Sequence, residues 1–208
     1  MPQAVEWKTS ALPVAYAEAV GEMEARVAQI RRAGAPELVW LLEHPPLYTA
    51  GASAKDSDLL SGEAFPVHRT GRGGQYTYHG PGQLVVYPII DLKPDRKDLH
   101  RYLRDLESVL IQVACSFGVQ ANRDPSGTGV FTELGKLGAI GVRISSGWIT
   151  SHGVALNVST QLDFFETIVP CGIRDRGVSS LERELQCAVP MTQVKKCIVE
   201  SFEQVFTC

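Results

Sequence analysis

The chain predicts an α+β fold, a mixed and largely antiparallel sheet flanked by helices. Three observations carry that expectation. Apolar residues recur at helical spacing in three places: Tyr16, Val20, Met23, Val27 and Ile30; Leu99, Leu103, Leu106, Leu110, Val113 and Phe117; and Val194, Ile198, Phe202 and Val205. Between them lie short continuous apolar runs of strand length. In the middle of the chain these runs are separated only by turn residues, which favours hairpins over crossover connections.

The elements follow in order. Gly34 closes the first helix, as a C-terminal glycine does. Glu37 to Glu43 reads as a buried strand, ended by His44-Pro45-Pro46. Val67 to Thr70 and Gln75 to Tyr78 are strand pieces around a glycine cluster, and Gln83 to Leu92 is a second apolar strand. The helix from Leu99 is closed by Gly118. Val130 to Thr132, Lys136 to Ile144 and His152 to Val158 read as strands, with Ser145-Ser146-Gly147 as the turn between the last two. Ser179 with Glu182 makes a capping-box pattern for a short helix, and Thr192 is expected to cap the last one. No internal repeat, low-complexity run or linker divides the chain, so residues 1–208 are expected to form one catalytic domain.

Composition removes several function classes. At 44% hydrophobic and 21% charged residues the chain can bury a real core and is not a disordered segment. The formal net charge is -3 and the Lys and Arg residues are scattered, so no nucleic-acid or membrane footprint is expected. The start, Met1 to Lys8, lacks the basic region and apolar run of a signal peptide, and no stretch reaches the roughly 20 apolar residues that span a bilayer. A cytoplasmic location is the expectation. Cys115, Cys171, Cys187, Cys197 and Cys208 are odd in number and form no C-x-x-C pair, which argues against a disulfide framework or a zinc ribbon. No metal or cofactor is expected.

Three segments carry candidate chemistry. Arg72 to Gln83 (RGGQYTYHGPGQ) sets glycines in series, which lets backbone N–H groups approach a ligand; a plain glycine-rich turn has the same composition. In that segment Arg72 is a candidate for an anion and His79 for orienting a polar group. The spacing fits neither a G-x-G-x-x-G nucleotide fingerprint nor, around Lys136, a P-loop. Lys136 lies among small residues in Gly135 to Gly141 (GKLGAIG): either it sits on the wet face of a strand, or it projects into a site where its charge matters. Pro170-Cys171-Gly172 places a thiol on a turn, whereas Cys115 and Cys197 lie within helical patterns. His152, at a strand start, reads as a structural histidine, as do His44, His68 and His100.

Taken in order, these segments resemble the lipoyl(octanoyl) transferase family, which is related to biotin and lipoate protein ligases. Glu43 to Gly51 (EHPPLYTAG) is similar to that family's early block, and Arg72 to Gln83 to its glycine signature. Thr128 to Gly141, Ser151 to Asn157 and Pro170 to Ile173 match the remaining blocks. The resemblance covers about Leu38 to Glu182. Tyr76 within the signature, Phe131 where Trp is frequent, and a looser Ser159 to Glu166 depart from the pattern.

The resemblance implies the ligase-like mixed sheet. It implies Cys171 as the acyl-thioester nucleophile and Lys136 as its activator. It implies substrate binding by Arg72, Gly73, Gly74, Gln75, Tyr76, Thr77, Tyr78 and His79, by Ala139, Ile140 and Gly141, and by Gly153, Val154 and Ala155. The activity implied is transfer of an octanoyl group from octanoyl-acyl carrier protein to a lysine of lipoyl domains, those of 2-oxoacid dehydrogenase complexes and the glycine cleavage H protein. A thioester donor is already activated, so the reaction needs no ATP. Three other readings are an ATP-dependent ligase on the same fold, a Cys–His thioesterase using His79 or His152 as base, and a non-catalytic acyl-carrier binding module.

Overall fold

The computed structural model describes residues 5–60, 64–93, 96–125, 127–169 and 177–206. Its strands are β1 (Glu6–Thr9), β2 (Leu38–Leu42), β3 (Leu47–Ala50), β4 (Val67–Arg69), β5 (Tyr76–His79), β6 (Gln83–Ile89), β7 (Asn122–Asp124), β8 (Gly127–Thr132), β9 (Gly135–Ile144) and β10 (Thr150–Asn157). Its α-helices are α1 (Tyr16–Ala33), α2 (Leu99–Ser116), α3 (Leu181–Leu185) and α4 (Met191–Phe206). Two sheets form, a large one in the order β1-β2-β6-β10-β9-β8-β7 and a small one in the order β4-β3-β5. The pairs β1–β2 and β3–β4 are parallel and the other strand pairs antiparallel, so the sheets are mixed and largely antiparallel as the sequence predicts.

Local chemistry sets the helix ends. Gly34 adopts φ 63° and donates its N–H to the Ile30 carbonyl, closing α1. The Asp98 side chain accepts the Arg101 N–H at the start of α2. Two expected caps are displaced. Ser180, not Ser179, accepts the Arg183 N–H and caps α3; the Ser179 hydroxyl bonds Glu184 instead. Helix α4 begins at Met191, so Thr192 lies inside its first turn, and the Pro190 carbonyl accepts the Gln193 and Val194 N–H groups. Pro190, just outside the first turn, presets φ at the entry to the helix.

Strand alternation divides the core. On one face of the large sheet Val39, Leu41, Leu84, Val86, Val154 and Leu156 meet Tyr102, Leu106 and Leu110 of α2 and Val194, Ile198 and Phe202 of α4. On the other face Leu38, Trp40, Leu42, Val85, Tyr87 and Ala155 meet Met23 and Ile30 of α1. The small sheet has its own cluster, in which Tyr48, Tyr76 and Tyr78 pack on Phe165 and Ile168. The small sheet and the loop before β5 overhang the α1 face of β9 and β10, and the Gly73 N–H ties that loop down to the Val142 carbonyl at 3.0 Å.

Candidate active site

The cleft under this overhang has a floor made of small residues. In the β9–β10 register Ala139 lies opposite Ala155 and Gly141 opposite Gly153. Ala139, Gly141 and Ala155 carry at most a methyl group on the α1 face, which leaves a trough there, while at Gly153 the Cβ position is taken up by the Val86 carbonyl and the Pro88 ring. A cavity with about 480 Å³ of empty space, open solvent included, runs along it. Its walls include Tyr16, Val85 and Tyr87, and its roof Arg72, Gly74, Gln75, Thr77 and His79. At the Gly141 end floor and roof touch, since a Cβ on Gly141 would lie 3.0 Å from Arg72 Cδ.

The roof is held by a chain of hydrogen bonds. The Arg72 guanidinium donates to Thr49 Oγ1, the Thr49 carbonyl, the Gly73 carbonyl and the Gln75 carbonyl, which folds the glycine loop around it. Gln83 Nε2 donates to the Tyr78 carbonyl and to Asn157 Oδ1, so its Oε1 accepts, and the His79 Nδ1–H donates to it at 2.6 Å. His79 Nε2 is then the acceptor for the Thr49 hydroxyl at 3.2 Å. Asn157 Nδ2 continues the chain to the Ser179 carbonyl at 3.0 Å.

Lys136 lines an adjoining cavity that shares Thr77, Ala139 and Ala155 with the first. A β-bulge aims it there. Val130 pairs Gly138 and Phe131 pairs Lys136, leaving Leu137 as an extra residue on β9. Without the bulge Lys136 would share the face of Gly138, whose Cβ position meets Leu110 of α2. Its ammonium, on a residue only 8% exposed, donates to the Thr128 carbonyl at 3.0 Å and lies 5.2 Å from the Phe131 ring centroid. Among the described residues no carboxylate pairs with it.

Cys171 lies outside the described residues, but both flanks of its segment are anchored. The Val169 N–H donates to the Asp58 carbonyl at 2.8 Å. Beyond the segment the Lys136 N–H donates to the Gly177 carbonyl, and the Ser179 N–H to the Lys136 carbonyl. The backbone of Lys136 is thus the tether for the chain that follows Cys171.

Sequence reasoning missed that His44 and His152 join His79 in a buried cluster around the cleft. His44 Nδ1–H donates to the Val14 carbonyl, so its Nε2 accepts the Tyr87 hydroxyl proton at 2.8 Å. His152 Nε2 bonds the Tyr16 hydroxyl at 2.9 Å, and its Nδ1 has no hydrogen-bond partner among the described residues. Burial holds the His44 imidazole down at about 4, with the His68 charge adding to it. Burial, then Arg72, Arg143 and His44, brings His152 to about 4 as well. His79 is pushed well below its ordinary value by burial, His44 and Arg72. All three are neutral at pH 7. His152 also takes φ 59° within β10, a conformation uncommon for a residue with a Cβ.

The lipoyl protein ligase A/B catalytic-domain model matches residues 15–203. The octanoyltransferase of Parvibaculum lavamentivorans is 50% identical over 98% of this chain and 93% of its own length, and that of Paramagnetospirillum magneticum 49% identical over 97% of each. The chain belongs to the octanoyltransferase family. It is an acyltransferase by that membership. The crystal structure of lipoate-protein ligase A bound with ATP superposes with a TM-score of 0.73 over 97% of this chain and 86% of that one, at 16% identity, which places the octanoyltransferase chain on the ligase fold.

Of the residues that the family resemblance implies for substrate binding, all but Gly73, Tyr76 and Tyr78 line the cavity. Arg72, Gly74, Gln75, Thr77, His79, Ala139, Ile140, Gly141, Gly153, Val154 and Ala155 line the cavity. Tyr76 and Tyr78 do not. They alternate with Thr77 and His79 along β5, with Gln75 just before it, and are buried in the small sheet's cluster. Gly73 is absent from the lining too, and serves the roof through its bond to Val142. The two-residue period of the segment was the signal that separates these sets. Tyr16, Val85, Tyr87 and His152 join the lining without any such motif.

Proposed function

We propose that this octanoyltransferase-family chain moves an octanoyl group from octanoyl-acyl carrier protein to a lysine of a lipoyl domain through a thioester on Cys171. The observation that carries the reading is Lys136: a buried ammonium without a carboxylate partner among the described residues, at one end of a trough floored by small residues. Its own backbone tethers the chain that follows Cys171.

In the first half-reaction the Cys171 thiolate attacks the donor's thioester carbon. The new C–S bond forms, the carrier's C–S bond breaks, and the carrier thiolate leaves and takes a proton. An ordinary thiol near pKa 8.5 is only a few per cent ionised at pH 7, and a neighbouring ammonium favours the thiolate. In the second, the neutral amine of the acceptor lysine attacks the Cys171 thioester. The amide forms, Cys171 leaves as thiolate, and the amine's proton passes to the Lys136 amine, which gave its own proton to the departing carrier thiolate in the first half-reaction, or to solvent. An amide is more stable than a thioester, so no nucleotide is consumed. The trough takes the alkyl tail, and His79, neutral and hydrogen-bonded on both nitrogens, orders the roof and is not the proton acceptor of a Cys–His pair.

Intact-mass spectrometry after incubation with octanoyl-acyl carrier protein, ATP omitted, tests the reading. Wild type gains one octanoyl group, Cys171→Ala gains none and transfers none, and Cys115→Ala and Cys197→Ala behave as wild type. An adduct that persists in Cys171→Ala overturns the assignment.

A further inference from the structure

Glu107 sits on α2, on the far side of β8 and β9 from the cleft, and is 1% exposed. Its Oε1 accepts the Gly129 N–H at 3.1 Å. Its Oε2 accepts Arg104 Nη1 at 2.7 Å and Arg123 Nε at 3.0 Å. Arg123 is held in turn by the Arg104 carbonyl and the Ser108 hydroxyl.

The Gly129 N–H is one end of a peptide unit whose other end is the Thr128 carbonyl. That carbonyl accepts the Lys136 ammonium at 3.0 Å. The carboxylate, one peptide and the ammonium therefore lie in series. A peptide whose N–H is held by a carboxylate cannot rotate its carbonyl away, and the same pull polarises the amide and puts more negative charge on the oxygen. Gly129 itself leaves room for this. Its φ of 134° is a glycine conformation, and a Cβ there would lie 2.7 Å from Lys136 Cε, so the lysine stem runs across bare backbone.

We propose that Glu107 is a positioning residue: it fixes the Thr128–Gly129 peptide as the acceptor that aims the Lys136 ammonium into the cleft. Arg104 and Arg123 keep the carboxylate in place from outside. This rests on the role of Lys136 given above and adds a residue on the opposite side of the sheet, with no contact to substrate.

The relevant property is reach to Gly129 rather than charge, and two conservative variants separate them. Glu107→Asp keeps the charge for Arg104 and Arg123 but is one methylene too short for Gly129. Glu107→Gln loses the charge and has the reach to keep its one oxygen on the Gly129 N–H, with its amide NH2 group then turned toward Arg104 and Arg123. With folding checked by circular dichroism, the expected order of octanoyl-transfer kcat is wild type, then Gln, then Asp. The Asp variant should be at least tenfold down with KM for octanoyl-acyl carrier protein within about twofold of wild type. A folded Asp variant that transfers as well as the Gln variant overturns the proposal.

A double-mutant cycle on the rate of Cys171 alkylation by iodoacetamide at neutral pH isolates the coupling. If Glu107 acts through Lys136, Glu107→Asp slows alkylation in the wild-type background and adds nothing in Lys136→Met. Additive effects sink the positioning role alone. Wild-type alkylation and transfer by Lys136→Met would instead remove the reading of Lys136 on which it stands.

Discussion

Thr49 and Arg72 are joined by three hydrogen bonds: Arg72 Nε to Thr49 Oγ1 at 3.1 Å, Nη2 to the same oxygen at 2.7 Å, and Nη2 to the Thr49 carbonyl at 2.8 Å. The hydroxyl's own proton goes to His79 Nε2. One threonine on β3 is thus the joint between the guanidinium that folds the glycine loop and the imidazole that faces the trough.

Thr49→Val keeps the shape of that joint and removes its oxygen. Arg72 Nε–H and the His79 Nε2 lone pair lose the hydroxyl, whereas Arg72 Nη2 keeps the Thr49 and Gln75 carbonyls; a buried group deprived of its partner costs about 1–3 kcal/mol. The expected result is a clear loss of unfolding free energy in urea and a raised KM for the acyl donor. Thr49→Ser, which restores the oxygen, should recover most of both. A Val variant as stable as wild type would mean that the loop is held by other contacts.

The neutral histidines predict an acid-sensitive fold. His44 and His152 ionise at about 4 in the folded chain, against about 6.5 unfolded. A depressed histidine pKa means that the unfolded state binds more protons between those values. Stability is therefore fully present above pH 6.5 and is lost as pH falls from there towards 4. Each of the two contributes roughly 3 kcal/mol across that window. Their charges also repel, so the two losses are not simply additive. Urea titrations at steps from pH 7.5 to 4.5 should show unfolding free energy falling with pH below about 6.5. A flat profile would place these imidazoles in contact with water.

Gly135→Ala tests the tether of the cysteine segment. Gly135 holds φ 139°, and a Cβ there would overlap the Gly177 carbonyl that accepts the Lys136 N–H. Strain of roughly 1–3 kcal/mol is expected, with octanoyl transfer reduced by more than the stability loss explains. Gly21→Ala is the control: it lies in α1 with open space around its Cβ position and should gain up to about 1 kcal/mol. Equal activity of the two variants would show that the tether does not matter to transfer.

Much of the fold was legible because its signals are periodic. The stripe from Tyr16 to Ile30 and the glycine after it gave α1 to its last turn, and Leu99 to Phe117 gave α2. Strands β1, β3 and β7 were not legible: with three or four residues each they show no period, and β3 is hidden behind Pro45-Pro46. The glycine segment stood out by its composition, but which of its residues face the cavity and which, like Tyr76 and Tyr78, pack in the small sheet depends on the strand's two-residue alternation. Lys136 was visible as a lysine among glycines, but its side of the sheet depends on the one extra residue at Leu137, and pairing register is a property of two strands at once. The histidine cluster joins His44, His79 and His152 from distant parts of the chain, where His44 and His152 look structural and only His79 sits in a segment with candidate chemistry. Glu107 carries no motif at all. It is an acidic residue on an apolar helix face, and its meaning comes from the peptide it reaches.

The trough makes chain length a measurable property of two residues. Ala155 lines both cavities and lies opposite Ala139 in the register, so it marks the passage from the Lys136 end to the Arg72 end. If the octanoyl tail runs along this floor, each methylene is worth about 0.8 kcal/mol, or roughly fourfold in kcat/KM. Wild type should therefore favour an octanoyl over a hexanoyl donor by about fifteenfold. Ala155→Leu fills the passage with an isobutyl group, and the octanoyl donor should lose far more than the hexanoyl donor, bringing their ratio towards one. Ala139→Val, a smaller intrusion from the facing strand, should move the ratio the same way by less. Thermal melts of both variants exclude a general loss of folding, since the hexanoyl rate is the internal reference. A ratio that stays at its wild-type value in both variants would mean that the tail does not lie between β9 and β10.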